Sequence, residues 1–447
     1  PILMAAQNWD DHDRSDRYTA IAMAKNYLNS CEPNAILFTI GDNDTFPLWY
    51  AQEIEKVRTD IKIVNTSLFM TDWYIDQMKM KTYESDGLPI SFTHEQYVGD
   101  KLDYAIHNPK TENRWDINAL LKFIGSDDPE TIVEMQNGQK IHFYPTDKIR
   151  IPVDKNTIIK NKVVNPKNYD SIVPYIDIKL KGSALYKNRL MMLDVLANNK
   201  WKRPIYFTGG SFGDDDYLWM KDYLQLEGLV YKLVPIRTPI PKDGSPLDMG
   251  QIDSDKMYDI VMKWDWGNGE SKTIYHDPET RKNSISYRSN LSRLMQKLID
   301  EGKIVKAKKV IELAMTKMPL DYYGYYSLVD PFASGYYQVG ENTKARQLLE
   351  QLMTKYKENL KYYNTLKPTE QSYIAIDIVT DIERYRGLLD VMRENGDLDF
   401  YNKNALIFNN YNKMFERFGR DNEGINDKGM PDEKGTLASD STENIKK

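Results

Sequence analysis

Residues 38–54 read FTIGDNDTFPLWYAQEI, and the change of pattern within this stretch decides how the fold is interpreted. An apolar run, residues 35–40, ends at Gly41, and an amphipathic pattern that contains Pro47 follows at once. A short apolar run bounded by turn residues predicts a buried strand, whereas apolar residues at every third or fourth position predict a helix. The stretch is therefore interpreted as a strand that passes directly into a helix, with the acidic segment 42–44 at the junction.

The same alternation of strand and helix extends to both sides of this junction. Residues 2–6 are interpreted as a first buried strand, and a helical pattern follows Ser15. Residues 61–64 predict a further strand, with a helix after it from about 72 to 80, and residues 203–208 predict a late strand. Such alternation implies crossover connections and a parallel sheet. The expected fold class is α/β, with a three-layer, mostly parallel, Rossmann-like sheet.

The composition changes along the chain and predicts further segments. Residues 84–180 are rich in Pro, Gly, Asn and Tyr, with a hairpin signal around Asn137 and Gly138, which predicts an inserted irregular or β lobe. The predicted organisation is an α/β domain at 1–240 with its insertion at about 84–180, a linker at 241–284, a helical domain at 285–419 and a disordered tail at 420–447.

The predicted helical domain carries an internal repeat. Ala307, Ile311 and Ala314 fall at the spacing of a helix that packs closely on its neighbour, and Ala345 with Leu349 makes a looser copy. Small residues at these positions are typical of tetratricopeptide helix pairs. We therefore expect residues 285–419 to form an all-α, tetratricopeptide-like repeat domain.

Charge, cysteine content and hydropathy exclude several classes of protein. The chain of 447 residues has 60 basic and 66 acidic residues, mixed along its length, so it offers no basic field for a nucleic-acid backbone. A single cysteine, Cys31, excludes an intramolecular disulfide and a cysteine-based zinc cluster. No apolar run approaches the roughly 18 residues that span a bilayer. The chain begins at Pro1 without an initiator Met, and we expect it to be a segment of a longer polypeptide.

Polar residues follow each predicted strand. Because the carboxyl ends of parallel strands meet at one edge, where open α/β sheets bind their ligands, these residues are candidates for a site. They are Trp9, Asp11, His12, Asp13 and Arg14 after the first strand, Asp42, Asn43, Asp44 and Trp49 after the second, Asp72 and Trp73 after the third, and Gly209 and Gly210 after the late strand.

One interpretation of the acidic residues is catalysis or metal binding. Asp11, Asp13, Asp42 and Asp44 could bind a divalent cation such as Mg²⁺ or Ca²⁺, which prefers oxygen ligands. Asp11, Asp13, Asp42 and His12 are also the candidates for general acid–base catalysis.

Two other interpretations remain open. The carboxylates could bind a sugar or a peptide on which Trp9, Trp49 and Trp73 stack, and the Gly209–Gly210 turn could bind an anion or be only a tight turn.

Alternatively, the polar residues only begin the helices. The candidate N-caps are Ser15, then Asp44 or Thr45, then Thr71 or Asp72. The helix dipole also stabilises acidic side chains in the first helical turn. Capping explains about one acid per helix and leaves Asp11, Asp13 and Asp42 without a role.

Two long motifs resemble a known family. Residues 8–15, NWDDHDRS, and 34–50, NAILFTIGDNDTFPLWY, are similar to the soluble C-terminal region of a Bacteroidetes family of multispanning membrane proteins of unknown function, which is distantly related to protein O-mannosyltransferases. Residues 65–68, 71–78 and 203–208 also fit its pattern. The resemblance implies a periplasmic, extracytoplasmic location, with attachment through transmembrane helices absent from this chain. It assigns no catalytic role to the acidic motifs.

Three functional hypotheses follow. The preferred one is an extracytoplasmic module of a membrane-bound glycosyltransferase-like protein, which binds an acceptor protein, a peptide or a glycan and adjoins its own membrane-embedded portion. The second is that the α/β domain is itself a metal-assisted hydrolase or transferase. The third is a non-catalytic scaffold in which Arg14 and Arg17 neutralise the acids. Whether the chain is an enzyme is left open.

Overall fold

The computed structural model describes residues 2–419 apart from Asn137, Phe212 and Asp243. The described chain divides into two compact units, the first ending at Tyr325 and the second beginning at Tyr326. All described strands belong to the first unit, and the second unit is helical. The N-terminal region thus has mixed α/β structure and the C-terminal region is helical.

The elements are named in chain order. The strands are β1 Ile36–Thr39, β2 Lys62–Asn65, β3 Tyr104–His107, β4 Trp115–Asp116, β5 Ile132–Glu134, β6 Lys140–Tyr144, β7 Lys148–Pro152, β8 Tyr175–Lys179, β9 Ala184–Tyr186, β10 Ile205–Thr208, β11 Leu224–Glu227 and β12 Val230–Leu233. The helices of the first unit are α1 Ile2–Gln7, α2 Trp9–His12, α3 Thr19–Ser30, α4 Gly41–Glu53, α5 Asp72–Met78, α6 His94–Tyr97, α7 Ile117–Ile124, α8 Lys155–Lys160, α9 Lys187–Asn199, α10 Ser254–Val261, α11 Pro278–Asp300, α12 Ile304–Lys317 and α13 Leu320–Tyr323. Those of the second unit are α14 Asp330–Gln338, α15 Asn342–Thr365, α16 Pro368–Tyr373, α17 Ala375–Glu394, α18 Leu398–Met414 and α19 Glu416–Gly419.

A five-stranded sheet forms the centre of the first unit, with strand order β11-β12-β10-β1-β2. Strands β10, β1 and β2 run parallel, while β12 is antiparallel to both β10 and β11, so the sheet is mixed. The strands predicted at 35–40, 61–64 and 203–208 are confirmed. Every residue of β1 is buried, and Phe38 stacks on Phe207 of β10 at a centroid distance of 5.6 Å. A strand covered on both faces needs this continuous apolar run, which is why the sequence signal was clear.

The predicted strand at residues 2–6 is wrong. These residues lie in helix α1, where Leu3 and Met4 are 73% and 67% exposed. Leu, Met and Ala are strong helix formers, and a run of this length cannot be assigned to a strand by periodicity alone. The polar residues that follow α1 therefore do not emerge from a strand of the sheet.

The insertion contains two small sheets, with strand orders β5-β6-β3-β9 and β4-β7-β8. The predicted hairpin is confirmed, because β5 and β6 pair antiparallel with Ile132 opposite His142. Asn137, at its turn, lies outside the described residues. The chain returns from the insertion through β9 and α9 to the central sheet.

The second unit is built from α14, α15, α17 and α18, which pack on one another in sequence. Its core includes Ala345, Leu349 and Tyr356 on α15 and Leu388 on α17, all with at most 1% exposure. The helical character predicted for this region is confirmed. The predicted tail, 420–447, lies outside the described residues.

The two predicted domain boundaries at 240/241 and 284/285 both fall inside the first unit. Residues 241–284, predicted as a linker, include α10 and the beginning of α11, and α11 packs on α12 within that unit. Across the described residues, no helix combines the length and the apolar character needed to cross a membrane.

Candidate functional site

The three parallel strands of the central sheet end in buried polar residues. Thr39, Asn65 and Thr208 are the last residues of β1, β2 and β10, and each has 0% exposure. Thr39 Oγ1 lies 2.6 Å from Thr45 Oγ1 on α4, and Asn65 Nδ2 donates to the same hydroxyl at 2.9 Å. Buried polar groups require such partners. These bonds fasten the first turns of α4 to the carboxyl edge of the sheet.

Helix α4 begins one turn earlier than predicted. Neither Asp44 nor Thr45 is its N-cap: the helix begins at Gly41, and the capping residue Ile40 makes no side-chain cap. Gly41 has φ +77°, a conformation that glycine adopts at little cost, so the chain turns from β1 into α4 without a spacer. The side chains of Asp42 and Asn43 consequently lie exposed in the first turn.

Asp44 connects α4 to β10. Its Oδ2 accepts a hydrogen bond from Thr208 Oγ1 at 2.7 Å. Burial raises the pKa of Asp44 to about 6, while hydrogen bonds from Thr208 and from the main chain of Ile40 act in the opposite direction. Asp44 is therefore an acid of the fold interior whose pKa lies above that of an exposed aspartate.

The candidate residues His12 and Asp13 make local contacts. His12 Nδ1 lies 2.9 Å from the carbonyl oxygen of Asn8, and Asp13 Oδ1 accepts from the Ser15 main-chain N–H at 2.8 Å. The hydrogen bonds with Ser15 lower the pKa of Asp13. Ser15 does not cap a helix as predicted, because α3 begins at Thr19.

The neighbouring candidates also remain near α2. Trp9 is 71% exposed, and the side chain of Asp11 is not among those that the structure describes. Arg14 contacts the carbonyl oxygen of Asp13 at 3.5 Å, and Arg17 forms an ion pair with Asp277. Arg17 thus neutralises an acid at the N-terminus of α11.

The predicted cation site has no counterpart among the described side chains. Within that part of the chain, no three His, Cys, Asp or Glu residues are grouped to hold a metal ion. Because the side chain of Asp11 is not described, a site that includes it stays a prediction. Asp72 is engaged elsewhere: its carboxylate lies 3.0 Å from Lys187 Nζ and accepts from the Gly99 N–H at 2.7 Å.

Gly209 and Gly210 form the turn that leaves β10. Gly210 has φ +96°, which only glycine adopts readily, and a Cβ on Gly209 would lie 3.2 Å from the ring of Tyr231. Backbone geometry is thus sufficient to explain both glycines. Their role in ligand binding stays a prediction.

Two of the predicted aromatic residues meet at one cavity. Trp49 on α4 and Trp73 on α5 both line a cavity of about 350 Å³ beside β2, the edge strand of the central sheet. Trp73 is 58% exposed. We call this the tryptophan cavity; its polar lining includes Gln52, Glu53, Thr59, Gln77, Thr82 and Tyr83. Trp9 is not one of its lining residues.

The polar lining is partly fixed by hydrogen bonds. Gln52 Nε2 donates to the carbonyl oxygens of Arg58 and Ile61 at 2.7 and 2.9 Å, so this amide is held in one orientation. The Tyr83 hydroxyl donates a hydrogen bond to the carboxylate of Glu53, which is exposed. Gln77 on α5 is exposed and extends the polar surface beside Trp73.

Sequence reasoning missed Lys62, which also lines the tryptophan cavity. Its residue exposure is 3%, and burial lowers the pKa of its ammonium group to about 8, with a smaller effect from the nearby Arg203. The available signal was a lysine within the otherwise apolar strand run 61–64. Lysine is rarely fully buried, so its position in a predicted buried strand marks an unusual environment.

A second groove lies in the insertion. It has a volume of about 730 Å³ and is lined by Trp115, Phe123 and the buried Asp194, among others. Asp194 accepts hydrogen bonds from the N–H and the hydroxyl of Ser91, both at 2.6 Å, and from Asn198 at 2.8 Å. Its carboxylate is therefore fully occupied with joining α9 to the insertion.

Comparison with known proteins places the chain in a family. A family model described as TMEM260-associated domain 2 matches residues 20–256, which is more than half of the chain. The match spans the central sheet, the insertion and the tryptophan cavity. No curated protein and no solved structure shows significant similarity to the chain. The chain belongs to the family of TMEM260-associated domain 2.

Proposed function

We propose that the first unit binds a glycan in the tryptophan cavity, and that it does so as the recognition module of a membrane-bound glycosyltransferase-like protein. The observation that carries this proposal is that α4 and α5 present Trp49 and Trp73 to one cavity together with amide, carboxylate and hydroxyl groups. Trp49 and Trp73 lie 24 positions apart in the sequence, so their meeting is a property of the fold.

The chemistry of the lining suits a saccharide. Sugar rings have apolar C–H faces, which pack on indole rings, and hydroxyl groups, which need both donors and acceptors. The exposed face of Trp73 offers an indole surface for the C–H face of a sugar, and Gln77, Glu53 and Tyr83 offer hydrogen-bond donors and acceptors for its hydroxyl groups. A cavity of about 350 Å³ lies in the range of small-ligand sites, so it accommodates a short saccharide or the end of a longer one.

The cellular setting is part of the proposal. It rests on the resemblance of residues 8–15 and 34–50 to membrane-anchored, mannosyltransferase-related proteins. On this basis the module faces the periplasm, is attached through transmembrane helices absent from this chain, and presents a glycan or a glycosylated acceptor protein to its membrane-embedded portion.

Two finer structural assignments belong to the same proposal. The parallel strands β10, β1 and β2 support a Rossmann-like relationship for the central sheet. Ala307 and Ala345, both with 0% exposure, support a tetratricopeptide-like origin for the helices of 285–419. In this proposal the helices of 285–419 contact an acceptor protein, and the tryptophan cavity binds a glycan.

The test is a glycan-binding screen on the whole 447-residue chain, with neutral and acidic oligosaccharides, followed by titration of the hits. We expect Trp73→Ala to weaken binding by about tenfold or more, since stacking on one aromatic ring contributes on the order of 1 kcal/mol or more. Trp115→Ala is the matched control, because Trp115 lines the second groove, and it should bind as the wild type does. Absence of any binding, or equal binding by Trp73→Ala and the wild type, would overturn the proposal.

A further inference from the structure

A buried lysine, Lys62, lines the tryptophan cavity. Lys62 Nζ donates to the carbonyl oxygen of Met80 at 2.9 Å and to Thr82 Oγ1 at 3.2 Å, and Thr82 also lines the cavity. An ammonium group has three N–H donors. Among the described residues there is no third acceptor for Lys62 Nζ, so its third N–H has no partner in that part of the chain.

Neither acceptor of Lys62 carries a charge. No carboxylate of the described residues lies within 4.0 Å of its Nζ, the limit for an ion pair. The acid whose field reaches Lys62 is Asp86, and Asp86 itself pairs with Lys81 at 3.6 Å. A buried cation without a counter-charge is unfavourable, because it loses hydration and gains no Coulombic attraction in return.

A second cation strengthens the positive field at this wall. Arg203 is near enough to lower the pKa of Lys62, and its Nη2 donates to Ser85 Oγ at 3.2 Å. Ser85 also lines the cavity. The other hydrogen bonds of Arg203 go to three main-chain carbonyl groups, which are neutral. Two cations therefore lie behind one side of the cavity without a partner of opposite charge within ion-pair distance among the described residues.

The carboxylate in the lining does not supply this counter-charge. Glu53 is exposed and accepts a hydrogen bond from the hydroxyl group of Tyr83. The hydroxyl oxygen of Tyr83 in turn accepts a hydrogen bond from Lys56 Nζ at 3.2 Å. The polar groups on the exposed side of the cavity are thus paired with one another. The buried side, at Lys62, carries the unbalanced charge.

We propose that the tryptophan cavity selects an anionic saccharide, whose carboxylate, sulfate or phosphate group accepts the remaining N–H of Lys62 while a sugar ring packs on Trp49 and Trp73. This inference rests on the proposed function, since it names the class of glycan that the same cavity binds. The anionic group supplies the counter-charge that the protein lacks there, and charge-assisted hydrogen bonds are stronger than neutral ones.

The test compares matched sugars on the full chain by calorimetric titration. Glucose and galactose are the neutral members, glucuronic and galacturonic acid the carboxylated ones, and glucose 6-sulfate and glucose 6-phosphate distinguish the kinds of anion. We expect the anionic members to bind about tenfold more tightly than the neutral ones. Lys62→Met should remove this preference and leave the neutral sugars bound. Lys101→Met, which removes the same charge at an exposed position, should keep it.

The pH dependence of the wild type provides a second measurement that needs no variant. Because the ammonium group of Lys62 loses its proton at a pKa of about 8, the preference for the anionic sugars should decline as the pH rises from about 7 to about 9. The other charged or titratable groups around it are Arg203, Asp86, Glu53, Tyr74 and Tyr83. Binding of the neutral sugars should stay constant over the same range.

The outcomes separate this inference from the proposed function. If neutral and anionic sugars bind equally and Trp73→Ala weakens both, the anionic inference is wrong and glycan binding stands. If the preference exists but changes neither with pH nor in Lys62→Met, the placement of the anion at Lys62 is wrong. If no sugar binds, both fail.

Discussion

The structure identifies which of the predicted roles Asp44 has. In the sequence it is one of three polar residues at a strand-to-helix junction, with capping, metal binding and ligand binding all open. In the structure it lies one turn inside α4, and its carboxylate accepts from Thr208 of β10 at 2.7 Å. Its role is to tie a crossover helix to the neighbouring strand, and its burial makes that tie sensitive to pH.

We expect Asp44→Asn to remove a pH dependence of stability. Burial raises the pKa of Asp44 from 3.8 to about 6, so its contribution to stability is fully present below about pH 4 and is lost as the pH rises through about 6. Asparagine does not ionise. Relative to the wild type, the variant should therefore gain roughly 2 kcal/mol in free energy of unfolding between pH 4 and pH 7. Urea unfolding at the two pH values measures this, and an unchanged difference would contradict it.

At the scale of elements, the β11–β12 hairpin packs tightly against two helices. Gly228 in its turn has φ +62°, and a Cβ there would lie 2.2 Å from Ser30 Oγ on α3 and 2.9 Å from Ile260 Cγ2 on α10. The hairpin thus has no room for a side chain at this turn. Gly138, in the β5–β6 hairpin, has φ +81° and open space around it.

The two glycines form a matched pair for mutation. Gly228→Ala should cost about 2–4 kcal/mol in free energy of unfolding, since it combines strain at positive φ with overpacking. Gly138→Ala should cost about 1 kcal/mol, from the backbone strain alone. Chemical denaturation of both variants measures the difference, and equal effects would show that the tight packing at Gly228 is wrong.

In the helical unit, Asp397 joins three helices. Arg346 on α15 donates to both of its carboxylate oxygens, at 2.7 and 2.6 Å, and Tyr337 on α14 donates at 2.6 Å. The hydrogen bond from Arg346 is the main reason that the pKa of Asp397 is lowered. A lowered pKa contributes stability above the unfolded value near 3.8, and that contribution is lost as the pH falls further.

We expect Asp397→Asn to destabilise the helical unit by about 2 kcal/mol at pH 7, because it removes a charged acceptor shared by two helices. The effect should diminish on acidification. Glu383→Gln is the control: this carboxylate pairs with Arg386 within α17 and its side chain is 52% exposed, so we expect a change of less than about 0.5 kcal/mol. Thermal unfolding followed by circular dichroism measures both, and an equal loss would refute the role of Asp397.

At the scale of the whole molecule, the two compact units have separate cores. The first is organised around the five-stranded sheet and contains the tryptophan cavity, and the second around α15 and its neighbours. Residues 1–325, expressed alone, should therefore fold and bind the same saccharides with the affinity of the full chain. Loss of binding in a fragment that is folded by circular dichroism would contradict this assignment.

Three of the five strands of the central sheet, β1, β2 and β10, were predictable, because they are buried and lie in mostly apolar runs. The run at 2–6 was equally apolar, and only its surroundings decide that it is an exposed helix. Because residues 2–6 are not a strand, His12 and Asp13 do not lie at the carboxyl edge of the sheet as predicted. The polar residues at that edge include Thr39, Asn65 and Thr208. The sequence does not encode locally which short apolar run finds a partner.

The site was predictable in part. Trp49 and Trp73 were candidates for stacking on a ligand, and they do line one cavity, whereas Trp9 does not. The burial of Lys62 was signalled by its position in the predicted strand run 61–64. Its lack of a counter-charge could not be predicted, since it depends on Met80, Thr82 and Arg203, which tertiary structure alone brings to it. Charge balance within a cavity is a property of the folded chain.

The most direct test of glycan binding in the tryptophan cavity is the indole N–H spectrum of the protein labelled with ¹⁵N-tryptophan. The chain has eight tryptophans, and Trp49→Phe and Trp73→Phe assign the two signals of interest. On addition of a saccharide found by the binding screen, we predict that the signals of Trp49 and Trp73 shift while those of Trp115 and Trp264 stay in place. Saturating saccharide that shifts Trp115 and leaves Trp49 and Trp73 unchanged would contradict the account.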